Sequence, residues 1–308
     1  MTITVITNTS SGAPTLSGTV GSLIGLLDFC LVTTLGWTKP YTGTNLAAYK
    51  QPAGTNGFYL YVDDTQAQYA RLRGYEVMTS ISAGSGPFPT EAIQTGGFYL
   101  RKSEAASSTA RPWYFVSDGK IFHLVISVNA SSLVWASPNF AYSFGDCLSL
   151  KSGDMFATVL IADTNSAPTN SSSYAGWTAL NTTLTGVANG HALARPHTQI
   201  GSAVAPAKVV DTIAGNSGTF GHGSLAYPNP ISGGIDLSRA FLAETAGRRA
   251  TVPGVWFWNH SAAALGSGDT FYGAAGSLLA GRSFVFFPQG GFSTVGSVVL
   301  ETSDTWGS

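Results

Sequence analysis

Acid–base or metal chemistry in this 308-residue chain would fall first to its five histidines, His123, His191, His197, His222 and His260. The carboxylates Asp63, Asp64, Asp146 and Asp154, all near polar turns, would serve beside them. A helical metal pair needs histidines four apart, and His191 and His197 do not stand so. His123 lies in an apolar run and reads as a hydrogen-bonded core histidine. A glycosidase needs two acids facing across a cleft, whereas aspartates in such turns ordinarily bond their own backbone. Cys30 and Cys147 are too far apart in sequence for a redox or zinc pair and read as small buried thiols. No Gly-x-Ser-x-Gly elbow, His-Glu-x-x-His, Cys-x-x-Cys, EF-hand loop or Walker loop occurs. Gly84-Ser85-Gly86-Pro87 resembles a glycine loop only superficially, because Pro87 lacks the amide a phosphate cradle would use, and it reads as a turn. The sequence therefore predicts no enzyme, no cofactor and no metal site.

Aromatic side chains offer a different chemistry, that of contact. Trp37, Tyr41, Trp113, Trp177, Trp256 and Trp258, together with Tyr59, Tyr61 and Tyr114, supply flat amphipathic surface. Such surface suits a core, a subunit contact or a stacked sugar ring. Core packing is the ordinary use, and subunit contact the main functional one.

Composition narrows the partners. Charged residues make up 10% of the chain, hydrophobic ones 44%, and the net charge is −1. No field draws in nucleic acid or an anionic membrane. Few charges also leave little repulsion between copies, which suits a protein that lives in an assembly. The apolar stretch Val20–Leu35 is too short for a membrane span and contains Asp28. The first basic residue is Lys39, so no secretory leader is expected, and the chain reads as made in a cytoplasm and kept there until assembly.

The elements that must position these groups are mostly strands. Thr2–Thr7 alternates as a half-buried strand. Val20, Leu23, Ile24, Leu27, Cys30 and Leu31 recur at helical spacing, predicting one helix over 19–35, capped by Ser17 or Thr19 and closed by Gly36. Phe58–Val62 and Tyr69–Val77 flank a polar tip, and Trp113–Val116 and Ile121–Val128 flank Asp118-Gly119, so two hairpins are expected. Phe98–Arg101, Phe156–Ile161, Gly254–Trp258, Ser283–Phe287 and Val295–Leu300 read as further strands. Thr55–Leu60 matches Thr95–Leu100, and Ala70-Arg71 matches Ala110-Arg111 at the same offset, a hint of duplication. Asp163–Ile235 is rich in Ser, Thr, Asn, Gly and Pro and predicts long ordered loops with short strands. The expected fold is mainly β, with sandwich-like sheets, one N-terminal helix and long Gly/Ser/Thr-rich loops. A boundary near Asn165–Ser173 divides it into β-rich parts 1–165 and 166–308, or the whole is one domain.

The run Ser11–Asp28 with Gly36-Trp37-Thr38-Lys39-Pro40-Tyr41 resembles the N-terminal part of a family of tailed-bacteriophage virion proteins. Asn56–Asp64, Arg73–Met78, Gly86–Pro89 and Ala110–Trp113 fit the same family. The resemblance covers the first half well and the rest loosely. It implies a virion structural component, tail-associated, whose partners are copies of itself and other virion proteins, and it carries no catalytic motif. Two other roles fit the residues: a receptor-binding adhesin recognising host surface glycan, and a capsid decoration protein. A tail-associated enzyme acting on glycan or peptidoglycan is a further reading, with no acid, base or nucleophile set to support it.

Overall fold

The computed structural model describes residues 2–129, 139–164, 190–210, 226–260, 265–288, 297–303 and 306. Strand β1 (Thr4–Thr7) precedes helix α1 (Ser22–Leu27), which continues as a π-helical segment over Asp28–Thr34. The expected helix over 19–35 is therefore α-helical for only its first turns. Val32, Thr33 and Thr34 are β-branched and crowd the preceding turn of an α-helix. The wider winding still buries Leu23, Leu26, Leu27, Cys30 and Leu31 on one side. Gly36, at φ 71°, ends the segment as the sequence predicts, and the Trp37 amide donates to the Leu31 carbonyl at 2.9 Å. The cap differs from expectation. Gly21 occupies the cap position, and the Ser17 and Thr19 hydroxyls bond each other at 2.8 Å instead.

Strands β2 (Thr38–Gly43), β3 (Leu46–Lys50), β4 (Tyr59–Asp63), β5 (Tyr69–Ser80) and β6 (Ala83–Phe88) form an antiparallel sheet in sequential order. Strand β7 (Phe98–Arg101) pairs with the start of β5. Gly84–Pro87, expected as a turn, lies within β6; the chain reverses just before it, at Ile81-Ser82. The two matched sequence segments end as β4 and β7, which pair with opposite edges of β5. Ala70-Arg71 lies inside β5, whereas Arg111 forms an isolated bridge with Leu16. The matched segments thus flank β5 within one sheet, and Ala70-Arg71 and Ala110-Arg111 do not take equivalent places in it.

The second sheet has the order β1, β8 (Trp113–Ser117), β9 (Ile121–Ser127), β10 (Asn139–Asp146), β12 (Thr158–Ile161) and β13 (His191–Leu193), all antiparallel. The β8–β9 hairpin is set by Asp118, whose Oδ1 accepts from the Lys120 and Ile121 amides at 2.8 and 2.9 Å. The third sheet runs β14 (Ala207–Val210), β15 (Leu237–Glu244), β16 (Gly247–Trp258), β19 (Val298–Glu301), β18 (Ser283–Phe287) and β17 (Thr270–Tyr272). The short β11 (Leu148–Ser149) joins β16.

These sheets stack in three layers with the second in the middle. One of its faces carries Phe115, Phe122, Leu124, Tyr142 and Phe144 into a core shared with α1 and the first sheet. The other carries Val116, Ile121, Val125 and Val159 into a core shared with Val255, Phe257, Val285 and Leu300 of the third sheet. Burial on both faces explains why every residue of Ile121–Ser127 is interior. The expected boundary at Asn165–Ser173 lies outside the described residues; across it, β13 pairs with β12, and the second core draws on both halves of the chain. Arg195, from the loop after β13, forks onto Glu76 of β5 through two bonds of 2.6 and 2.5 Å, and so ties the first sheet to the second half as well.

Candidate functional site

The titratable groups named from the sequence are mostly structural. His123 is fully buried; its Nε2 donates to the Pro253 carbonyl at 2.8 Å and its Nδ1 accepts from the Ser143 hydroxyl at 2.6 Å. Burial pulls its pKa down to about 4. His260 is held similarly, with Nε2 accepting from the Asp236 amide at 2.7 Å and Nδ1 donating to the Ala226 carbonyl at 2.8 Å. His197 bonds Glu244 at 2.9 Å, His191 is buried in β13, and His222 and Trp177 lie outside the described residues. Asp146 joins strands: it accepts from Gln51 Nε2 at 3.0 Å, the Asn56 amide at 2.8 Å and Thr158 Oγ1 at 2.7 Å. Asp154 is paired with Arg249 at 2.7 Å. Among the described residues no cluster of three or more His, Cys, Asp or Glu could hold a metal ion, and no helix is long and apolar enough to cross a membrane.

Asp63 and Asp64, expected as equivalent turn residues, diverge. Asp63 does turn work, accepting from the Thr65 amide and hydroxyl at 3.1 and 2.6 Å. Asp64 turns inward and is fully buried. Its Oδ2 accepts from the Leu23 and Ile24 amides at 2.8 and 3.2 Å, capping α1 in place of Ser17 or Thr19. Its Oδ1 meets the ammonium of Lys102, which also donates to the Thr19 carbonyl at 2.7 Å. Burial pushes the Asp64 carboxyl up and the Lys102 ammonium down, and their mutual attraction opposes both shifts.

Of the six aromatics singled out for contact, Trp37, Trp113 and Trp258 are inside the chain. Trp37 Nε1 donates to the Gly119 carbonyl at 3.0 Å and Trp113 Nε1 to the Pro14 carbonyl at 3.3 Å. They have no surface to offer a partner. Tyr41 is half-buried and its hydroxyl donates to the Met78 carbonyl at 3.1 Å. Trp256, 6% exposed, donates through Nε1 to Glu301 at 3.0 Å.

The outer face of the first sheet instead carries tyrosines that the strands alternate outward. Ala47, Tyr49, Leu60 and Val62 face the core, and their neighbours Ala48, Tyr59 and Tyr61 pack on the opposite face with Tyr41, Tyr75, Met78 and Ile81. Tyr59 stands opposite Tyr75, and Tyr61 opposite Arg73, across β4 and β5. Tyr41 stacks on Tyr59 with centroids 6.4 Å apart, Tyr61 meets Tyr75 edge-on at 6.4 Å, and the Lys50 ammonium lies 5.3 Å from the Tyr59 ring. Arg73 is paired with Glu91 at 2.5 Å, and the Arg71 guanidinium lies 4.4 Å from the Tyr99 ring. Tyr41, Tyr61, Arg71, Arg73 and Tyr75 all remain partly accessible.

A second concave feature lies on the outer face of the third sheet. Trp256, Phe284 and Phe271 form its floor, the segments 227–237 and 271–282 its walls, and the space between encloses about 870 Å³. Arg239 lies 5.0 Å from the Trp256 ring centroid and Arg282 5.9 Å from it. Tyr272, 75% exposed, and Leu278, fully exposed, stand at the mouth. Sequence reading offers Trp256 and Trp258 as core, subunit-contact or sugar-stacking rings; the accessible ring here is Tyr272, which the Thr-Phe-Tyr run of β17 signals only weakly. No protein-family model matches the chain, and no curated protein matches it.

Proposed function

We propose that the chain is a structural subunit of a tailed-bacteriophage virion, tail-associated, and that it works through subunit contacts and without catalytic turnover. The observation that carries this reading is the tyrosine–arginine face of the first sheet. Tyr41, Tyr61, Tyr75 and Arg71 lie partly accessible, with the more deeply buried Arg73 between them, on strands whose other side is locked into the core. Tyr and Arg are the residue types that protein interfaces enrich, and rigid sheet positions present them at low entropic cost. The Arg73 charge is already answered by Glu91, so an apposed surface need not desolvate it alone. Low total charge and the resemblance of the first half support the same assignment, and the position in the tail rests on that resemblance. A cryo-electron-microscopy map of the particle tests it: density for this chain in the tail, with the tyrosine face against a neighbouring subunit, is expected. Density on the capsid lattice, or a tyrosine face open to solvent on the assembled particle, overturns it. One observation favours the second reading, a receptor-binding adhesin, namely the aromatic cleft on the third sheet.

A further inference from the structure

The geometry points to the cleft of the third sheet as a binding site for a neutral oligosaccharide. This deepens the adhesin reading by naming the ligand class, and it stands apart from the tail assignment. A pyranose ring has an apolar C–H face and an equator of hydroxyls, so it is recognised by flat aromatic surface combined with directional donors and acceptors. The cleft supplies both. The accessible rings are the partly exposed Phe271 and the exposed Tyr272 of β17, and the buried Trp256 and Phe284 of β16 and β18 in the same sheet close the cleft behind them. The 227–237 wall adds the Ser232 hydroxyl and the Asp236 carboxylate, and the opposite wall adds Ser277.

The enclosed volume, about 870 Å³, is at the upper end of small-ligand sites and large enough for more than one sugar ring. Charge selects against the main rival ligands. Arg282 lies 3.4 Å from the buried Glu301, which also accepts from Trp256 Nε1, and Asp236 shares the cleft with Arg239. Two arginines against two carboxylates leave no net field for a phosphate or an acidic sugar. A lipid chain would in turn need continuous apolar walls, and these carry Ser232, Asp236 and Ser277. Asp236 is oriented by Asn229, whose Nδ2 donates to it at 2.6 Å, so an acceptor is already fixed before any ligand arrives.

The test uses the full chain against a panel of neutral and anionic oligosaccharides, read by saturation-transfer NMR and titration calorimetry. Two variants probe the cleft without threatening the fold. Tyr272→Ala removes an exposed ring. Gly234→Trp plugs the site from a position where an added Cβ meets only Ser232 Oγ, at 3.5 Å. The expected result is binding of neutral oligosaccharides that weakens at least tenfold in Tyr272→Ala and is lost in Gly234→Trp, with unfolding midpoints unchanged. Three results overturn it: no neutral glycan bound at millimolar concentration, binding that survives both variants, or binding confined to anionic glycans. A particle that ignores host surfaces while the isolated chain binds glycan at this cleft would count against the adhesin reading and leave the site standing.

Discussion

Asp64 and Lys102 form an ion pair in which neither side chain touches solvent, and the same carboxylate holds the first amides of the only α-helix among the described residues. One side chain from the β4–β5 turn therefore fixes both the start of α1 and the position of the segment after β7.

Removing that carboxylate should be expensive. Asp64→Ala leaves the Lys102 ammonium buried without its counter-charge and frees two helix amides, and a loss of about 3–5 kcal/mol is expected. Asp64→Leu combined with Lys102→Met should recover part of this, because the pair's desolvation penalty disappears with it, while the lost cap remains. Urea unfolding of the single and double variants measures both.

His123 should make the fold acid-sensitive. Its folded pKa, about 4, lies below the ordinary histidine value of 6.5, so the unfolded chain takes up the proton first. Stability is full above pH 6.5 and falls as the pH drops toward 4, by about 3 kcal/mol across that window for this group alone. In His123→Gln the difference in unfolding free energy between pH 7 and pH 5 should shrink; an unchanged difference would show that another group carries the acid limb.

The local signals in the sequence were sound where the physics is local. Asp118-Gly119 marks a reversal because the turn's hydrogen bonds come from Asp118 itself. The unbroken run Ile121–Ser127 announces a strand covered on both sides. Asp63 and Asp64, in contrast, have the same neighbours and opposite fates, because what separates them is Lys102, far along the chain. The tyrosine face was half legible: Tyr59 and Tyr61 alternate with Leu60 and Val62, but only the pairing with β5 sets Tyr75 and Arg73 beside them. Trp256 shows what residue type alone leaves open. A large amphipathic ring suits core, contact or stacking alike, and only the fold shows its N–H reaching Glu301 in the interior while Tyr272 stays exposed.

The tyrosine face should separate association from folding. Tyr61→Ser and Tyr75→Ser remove partly exposed rings from cross-strand pairs, at a cost of no more than about 1 kcal/mol each. The wild-type chain is expected to self-associate at high concentration in sedimentation velocity, and the double variant to remain monomeric. Equal association by both proteins would move the contact elsewhere.

Gly254 should be irreplaceable. It sits at φ 73° in β16, and a Cβ there would come within 2.3 Å of the Trp306 ring. Trp306 is buried in the second core with its Nε1 donating to the Glu301 carbonyl at 3.0 Å, so it cannot step aside freely. Gly254→Ala is expected to lose about 2–4 kcal/mol by thermal or urea unfolding, from overpacking and backbone strain together.

Both thiols should be silent in the native protein. Cys30 is pushed up to about 12 by burial, and burial raises Cys147 as well. A thiol reagent at pH 8 is expected to label neither until denaturant is added, and then both.

A middle sheet with two apolar sides also governs how the molecule can come apart. Peeling off the first sheet would bare Phe122, Leu124 and Phe144; peeling off the third would bare Val116, Val125 and Val159. Neither loss leaves a water-compatible remainder, so the three layers are bound into one cooperative transition, and a nicked or truncated chain has no stable halfway product to occupy. A copy missing one layer is therefore expected to expose an apolar sheet face and aggregate.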